Sequence, residues 1–74
     1  MKVKAKIEYF SIDEKLIAVL LNKTAERIIK TTGTGACVTT AIFSNKNNLD
    51  NFINAANLKS KLGVRIAKTR RLLF

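Results

Sequence analysis

The chain has 74 residues and a net charge of +9, from 14 Lys and Arg against five Asp and Glu. This length supports one domain at most, and a lone cysteine, Cys37, with no histidine anywhere excludes an internal disulfide and removes the commonest metal ligand. So large a basic excess on so short a chain favours a polyanionic partner, most often nucleic acid, which would also supply the staple that a small domain needs.

The chain opens with Val3, Ala5, Ile7 and Tyr9 alternating with Lys2, Lys4, Lys6 and Glu8. That period of two predicts a half-buried strand with one wet, basic face. It is unlike a signal peptide, whose charges precede an apolar run, and no transit peptide is visible. The chain is therefore expected to be made where it works or to have lost a leader. Ser11-Ile12-Asp13-Glu14 reads as a capping box, with Ser11 as N-cap and Glu14 reaching back. A helix is predicted from there to about Lys30, with Ile17, Leu21, Thr24, Ala25 and Ile28 along one face. Leu16, Val19 and Leu20 widen that face, so the helix calls for cover on more than one side. The longest fully apolar run, Leu16 to Leu21, is far short of the roughly 20 residues that cross a bilayer, so no membrane is expected as partner.

Gly33 and Gly35 are placed to stop the helix. Gly-Thr-Gly is no phosphate loop, because it follows a helix and lacks the Gly-Lys-Ser/Thr ending. Ala36 to Phe43, rich in Val, Thr, Ile and Phe, predicts a second strand, in which Cys37 acts as a small hydrophobe. Leu49, Phe52, Ile53 and Ala56 have helical spacing, whereas the Asn residues around them favour turns, so 49–62 is open between a short helix and a hairpin. Val64 to Phe74 predicts a last strand with Val64, Ile66 and Leu72 on one side. Lys68 and Arg70 intrude on that apolar side, which suggests that much of this strand leaves the domain body and meets phosphate. After Asp50 there is no acid to offset Lys59, Lys61, Arg65, Lys68, Arg70 and Arg71.

Three segments carry a resemblance: Lys4-Ala5-Lys6-Ile7-Glu8-Tyr9-Phe10; Thr24-Ala25-Glu26 followed by Gly35-Ala36-Cys37-Val38 and Ile42; and Asn57-Leu58-Lys59-Ser60-Lys61 with Arg65-Ile66-Ala67-Lys68-Thr69-Arg70-Arg71-Leu72. In this order they resemble small-subunit ribosomal protein S ten. The family's prolines and histidines are absent, and Thr69 stands where a histidine is expected. The resemblance implies a single α+β, ferredoxin-like domain over 1–74 that is incomplete, running β-α-β-long hairpin-β and lacking the last helix and strand. It also implies that 45–66 is an extended hairpin reaching into ribosomal RNA.

On this reading the chain is a structural constituent of the small-subunit head, without catalytic residues, metal or cofactor. Its RNA-binding residues would be Asn45, Lys46, Asn57, Lys59, Lys61, Arg65, Lys68, Arg70 and Arg71. The arginines would bridge phosphate oxygens with a planar fork, the lysines would act as point charges, and Asn45 and Asn57 would bond sugar or base edges. Its neighbours would be proteins of the S three, S nine and S fourteen families, and a second polypeptide would complete the sheet. The bias toward Asn, Lys, Ile and Thr points to a mitochondrial ribosome, with a plastid or a bacterial cytoplasm as the fallback. The alternative is a chromatin-type protein that coats DNA. An enzyme is disfavoured, because there is no histidine and capping accounts for the acids, leaving no acid–base pair.

Overall fold

A computed structural model describes the backbone of residues 1–32 and 35–72, and the side chains of all of these but 30–32. The helix stop expected at Gly33 and the terminal Leu73 and Phe74 lie outside the described residues. The elements run β1 (Lys2–Phe10), a 3-10 turn (Ser11–Asp13), α1 (Glu14–Thr24), β2 (Arg27–Thr32), β3 (Ala36–Phe43), α2 (Lys46–Lys59) and β4 (Arg65–Leu72). The four strands form one sheet in the order β2-β3-β1-β4, and every neighbouring pair is antiparallel. This small α+β domain, with two helices on a four-stranded antiparallel sheet, is compatible with a ferredoxin-like fold.

The first strand has the predicted alternation. Val3, Ala5, Ile7 and Tyr9 are buried beneath the helices, beside Cys37, Thr39, Ala41 and Phe43 of β3. Ile17, Leu20 and Leu21 of α1 and Leu49, Phe52 and Ala56 of α2 close the core from above. Phe43 and Phe52 are both fully buried, with ring centroids 5.7 Å apart. The Tyr9 and Thr39 hydroxyls share a 2.7 Å hydrogen bond inside this layer, which satisfies two polar groups that would otherwise be costly there. Burial pushes the Tyr9 phenol above its ordinary value, and the bond to Thr39 opposes that in part.

Several expectations are corrected. The helix does not reach Lys30. It ends at Thr24, whose hydroxyl donates to the Leu20 carbonyl at 2.7 Å. Arg27 to Thr32 then pairs with β3, as suits a stretch rich in β-branched Ile and Thr. There is no capping box: Asp13 is the N-cap of α1 without a side-chain cap bond, and the Ser11 amide donates to the Gly35 carbonyl at 2.7 Å. Of the residues expected to widen the apolar face, Leu20 is buried, Leu16 is half-buried and Val19 is exposed.

The segment 45–66 is not a long hairpin, because Lys46–Lys59 is helical. Its Asn45 side chain accepts from the Asn48 amide at 2.9 Å, a standard N-cap, while Asn47, Asn51 and Asn54 are exposed. The propensity cost of Asn is a fraction of a kcal/mol per residue, roughly 0.7 at most. Burying Phe52 and Leu49 outweighs it, at about 1.5–3 kcal/mol for each large apolar side chain. The fold is also not short of a helix and a strand. α2 and β4 supply a second helix and a fourth strand from within the chain.

Nor does the last strand leave the body. β4 pairs with β1 from Leu72 opposite Lys2 to Arg65 opposite Glu8. Between Ile66, opposite Ile7, and Lys68, opposite Lys6, Ala67 is an extra residue in a β-bulge. The bulge resets the alternation. Ile66 faces the helices, and Lys68 and Arg70 face away from them, which removes the apparent intrusion of charge on an apolar face.

Deletion of Ala67 leaves this phase intact and is predicted to cost less than about 1 kcal/mol in a urea melt, since it only regularises the ladder. Deletion of Thr69 turns Arg70 toward the helices opposite Ala5, and the same melt should show a loss of at least about 2 kcal/mol.

Candidate nucleic-acid interface

Both helices lie on one face of the sheet, and the other face is open. Residues directly opposite on paired strands share a face, so the open face can be read row by row. Lys2 stands opposite Leu72, Lys4 opposite Arg70, Lys6 opposite Lys68 and Glu8 opposite Arg65. On the other side of β1, Ile42 follows Lys4 and Thr40 follows Lys6, with Arg27 beyond Ile42. A shallow groove of about 320 Å³ runs over this face, lined among others by Lys4, Lys6, Ile29, Thr40, Lys68 and Arg70.

The charges in this groove are not balanced within the chain. Glu8 is engaged by Arg65, whose Nε donates to Oε1 at 2.6 Å. Glu26 is engaged by Lys2 at 2.8 Å. Among the described residues, Lys4, Lys6, Lys68 and Arg70 have no carboxylate within ion-pair distance. Like charges directly across a strand pair are destabilising, by roughly 0.2–1 kcal/mol each. Two such pairs, Lys4–Arg70 and Lys6–Lys68, are adjacent at the middle of the sheet. A row of bound phosphates would turn this repulsion into attraction.

The predicted RNA-binding residues do not form one site. Lys68 and Arg70 belong to the open face, and Arg65 lies at its end, committed to Glu8. Arg71, opposite Val3, is exposed and shares a groove at the β4 edge with Lys46 and Arg70. Asn45 is occupied in capping α2. The Asn57 carboxamide oxygen accepts from the Val64 amide at 3.1 Å, fixing the turn into β4. Lys59 ends α2, and Lys61 follows it with its amide donating to Asp13 Oδ1 at 3.1 Å. Asn45, Asn57, Lys59 and Lys61 thus belong to the helical layer or its connections.

Lys4 and Lys6 are the residues that the sequence reading left out of the site. Their signal was present in the alternation that gave β1 a basic face; what was lacking was the knowledge that β4 is their neighbour. Among the described residues there is no group of three or more His, Cys, Asp or Glu able to hold a metal ion, and no helix long and apolar enough to cross a membrane.

Replacing Lys68 by Glu places an acid opposite Lys6. The variant is predicted to be more stable than the wild type in low salt, by roughly 0.2–1 kcal/mol, with the gain shrinking as salt is added. Thermal melts at two ionic strengths read both effects. No family model, curated protein or solved structure matches the chain.

Proposed function

We propose that this chain is an RNA-binding structural protein that holds phosphate backbone across its open sheet face, with Lys4, Lys6, Lys68 and Arg70 as the principal contacts. The supporting observation is the pair of like-charged rows, Lys4–Arg70 and Lys6–Lys68, set side by side without acidic partners among the described residues. Cations so placed displace the counterions of a polyanion and fix its position without reading its sequence. Arg70 bonds phosphate with two donors at once, and the three lysines adapt as mobile point charges. Arg71 and Lys46 extend the positive surface round the β4 edge.

The setting we favour is the head of the small ribosomal subunit, beside proteins of the S three, S nine and S fourteen families, in a mitochondrial ribosome. This finer proposal rests on the resemblance of the segments around Lys4–Phe10, Gly35–Val38 and Arg65–Leu72 to ribosomal protein S ten. It no longer involves a long RNA-reaching hairpin, since α2 occupies that stretch. In such a particle the work of the chain is placement: it neutralises phosphates and offers a firm sheet to the folded RNA.

The test is binding of single-stranded RNA as a function of salt. Each phosphate contact contributes about −0.7 to the slope of log K against log salt, so replacing Lys4, Lys6, Lys68 and Arg70 together by Ala should flatten the slope by about 3 units. Replacing Lys15, Lys23 and Lys59, on the helices, should leave it unchanged. An unchanged slope in the sheet variant, or a clear preference for duplex DNA, would overturn the reading. For the ribosomal setting, a tagged chain should sediment with small subunits and leave that fraction after RNase treatment; failure to comigrate removes the setting and leaves the RNA-binding face to stand on its own measurement.

A further inference from the structure

The basic rows end at a notch of different chemistry. The groove there, of about 430 Å³, is bordered among others by Tyr9, Phe10, Cys37, Leu62, Val64 and Arg65. It exists because β1 outlasts β4. The last pair of that ladder is Glu8 with Arg65, whereas β1 continues beside β3 through Tyr9 and Phe10. Gly63, at φ 94°, borders this space, and the Val64 amide is fastened to Asn57.

Two features make the notch receptive. Phe10 is 45% exposed, and alternation places its side chain on the same face as Lys4 and Lys6. Its backbone is the second feature. The Ser11 amide donates to the Gly35 carbonyl, so in this stretch of β1 the odd residues turn their main-chain groups toward β3 and the even residues turn theirs toward β4. Phe10 is extended, at φ −99° and ψ 151°, and no strand lies beside it on the β4 side. Its N–H is therefore offered to the notch as a donor, while its C=O is taken up as the N-cap of the 3-10 turn.

We propose that this notch seats one unpaired nucleobase of the bound RNA, stacked on the Phe10 ring and hydrogen-bonded by the Phe10 main chain. The inference rests on the RNA-binding reading above and adds the part of the ligand that the cations do not touch. The lining is mostly apolar, and its single acid, Glu8, is neutralised by Arg65 at 2.6 Å. A phosphate would find only Arg65, whose Nε already serves Glu8, but a flat ring with polar edges matches both the apolar walls and the open Phe10 N–H. A peptide adding as a strand fits poorly, because a single residue of free edge gives it almost no ladder. The positive rows, which begin at Lys6 four residues along β1 from Phe10, hold the backbone that delivers the base. Splayed bases stacked on aromatic side chains are the usual way in which single-stranded RNA is gripped beyond its phosphates.

The test compares an oligouridylate with an abasic oligomer of equal length and charge, by fluorescence anisotropy, on the full chain. The wild type should bind the oligouridylate roughly tenfold more tightly, the scale of one stacked base. Phe10→Ala should bind both oligomers alike, at the level of the abasic one. Phe10→Trp should keep the preference and, since the chain has no other Trp, report it: its emission should be quenched by the oligouridylate and not by the abasic oligomer. Equal binding of the two oligomers by the wild type would overturn the notch while leaving the basic face intact, and so would a preference that survives in Phe10→Ala. Binding of neither oligomer would remove the RNA-binding reading itself, and the notch with it.

Discussion

The structure depends on the strict two-residue period of β1, the strand at the middle of the sheet. One set of its side chains, Val3, Ala5, Ile7 and Tyr9, can only be stabilised by a covering layer; the other set is led by lysines that can only face water or anions. Once β1 is laid down with that division, every neighbour must match it. β3 does so by its own alternation, giving Cys37, Thr39, Ala41 and Phe43 to the core. β4 does not match as written, and the extra residue at Ala67 is the local distortion that brings it into phase. Both helices then gather on the apolar side. The result is a domain with one closed face and one face left to electrostatics.

That division sets folding and binding against each other. Cations opposed across the β1–β4 ladder weaken the pairing that holds β4 in place, and a domain of this size has little stability to spare. The same groups stand on a backbone that is already ordered, so meeting a polyanion costs only the freedom of their side chains.

The sequence was most legible where one periodicity dominated. The two faces of β1 and the strand from Ala36 to Phe43 followed from alternation and composition, whereas the α+β class came with the resemblance. Three things were not legible, each for a physical reason. The end of α1 was hidden because Ile28 continues the helical spacing, while the pairing that converts 27–32 to a strand is made with β3, from Thr32 opposite Val38 to Arg27 opposite Ile42. α2 was masked by its Asn residues, which local propensity counts against a helix although most of them point to solvent, and by the resemblance to a family with a hairpin there. The open basic face was legible only in part. Lys68 and Arg70 stood out as misplaced charges, but a bulge cannot be read from one strand alone, since it is defined by the partner. Without it, Lys4 and Lys6 had no visible company.

One smaller contact has a consequence for how the molecule comes apart. Asp13 is 4% exposed and heads α1, yet its Oδ1 accepts from the Lys61 amide in the turn that leaves α2. The other oxygen, Oδ2, is buried without a hydrogen-bond partner among the described residues. A buried carboxylate is tolerable only while what bonds it stays in place. Fraying the exit of α2 would remove the one hydrogen bond that this carboxyl group has among the described residues, so the exit of α2 and the entrance of α1 are coupled. A domain this short thereby gains a latch between segments 48 residues apart, and partial unfolding from either end is disfavoured.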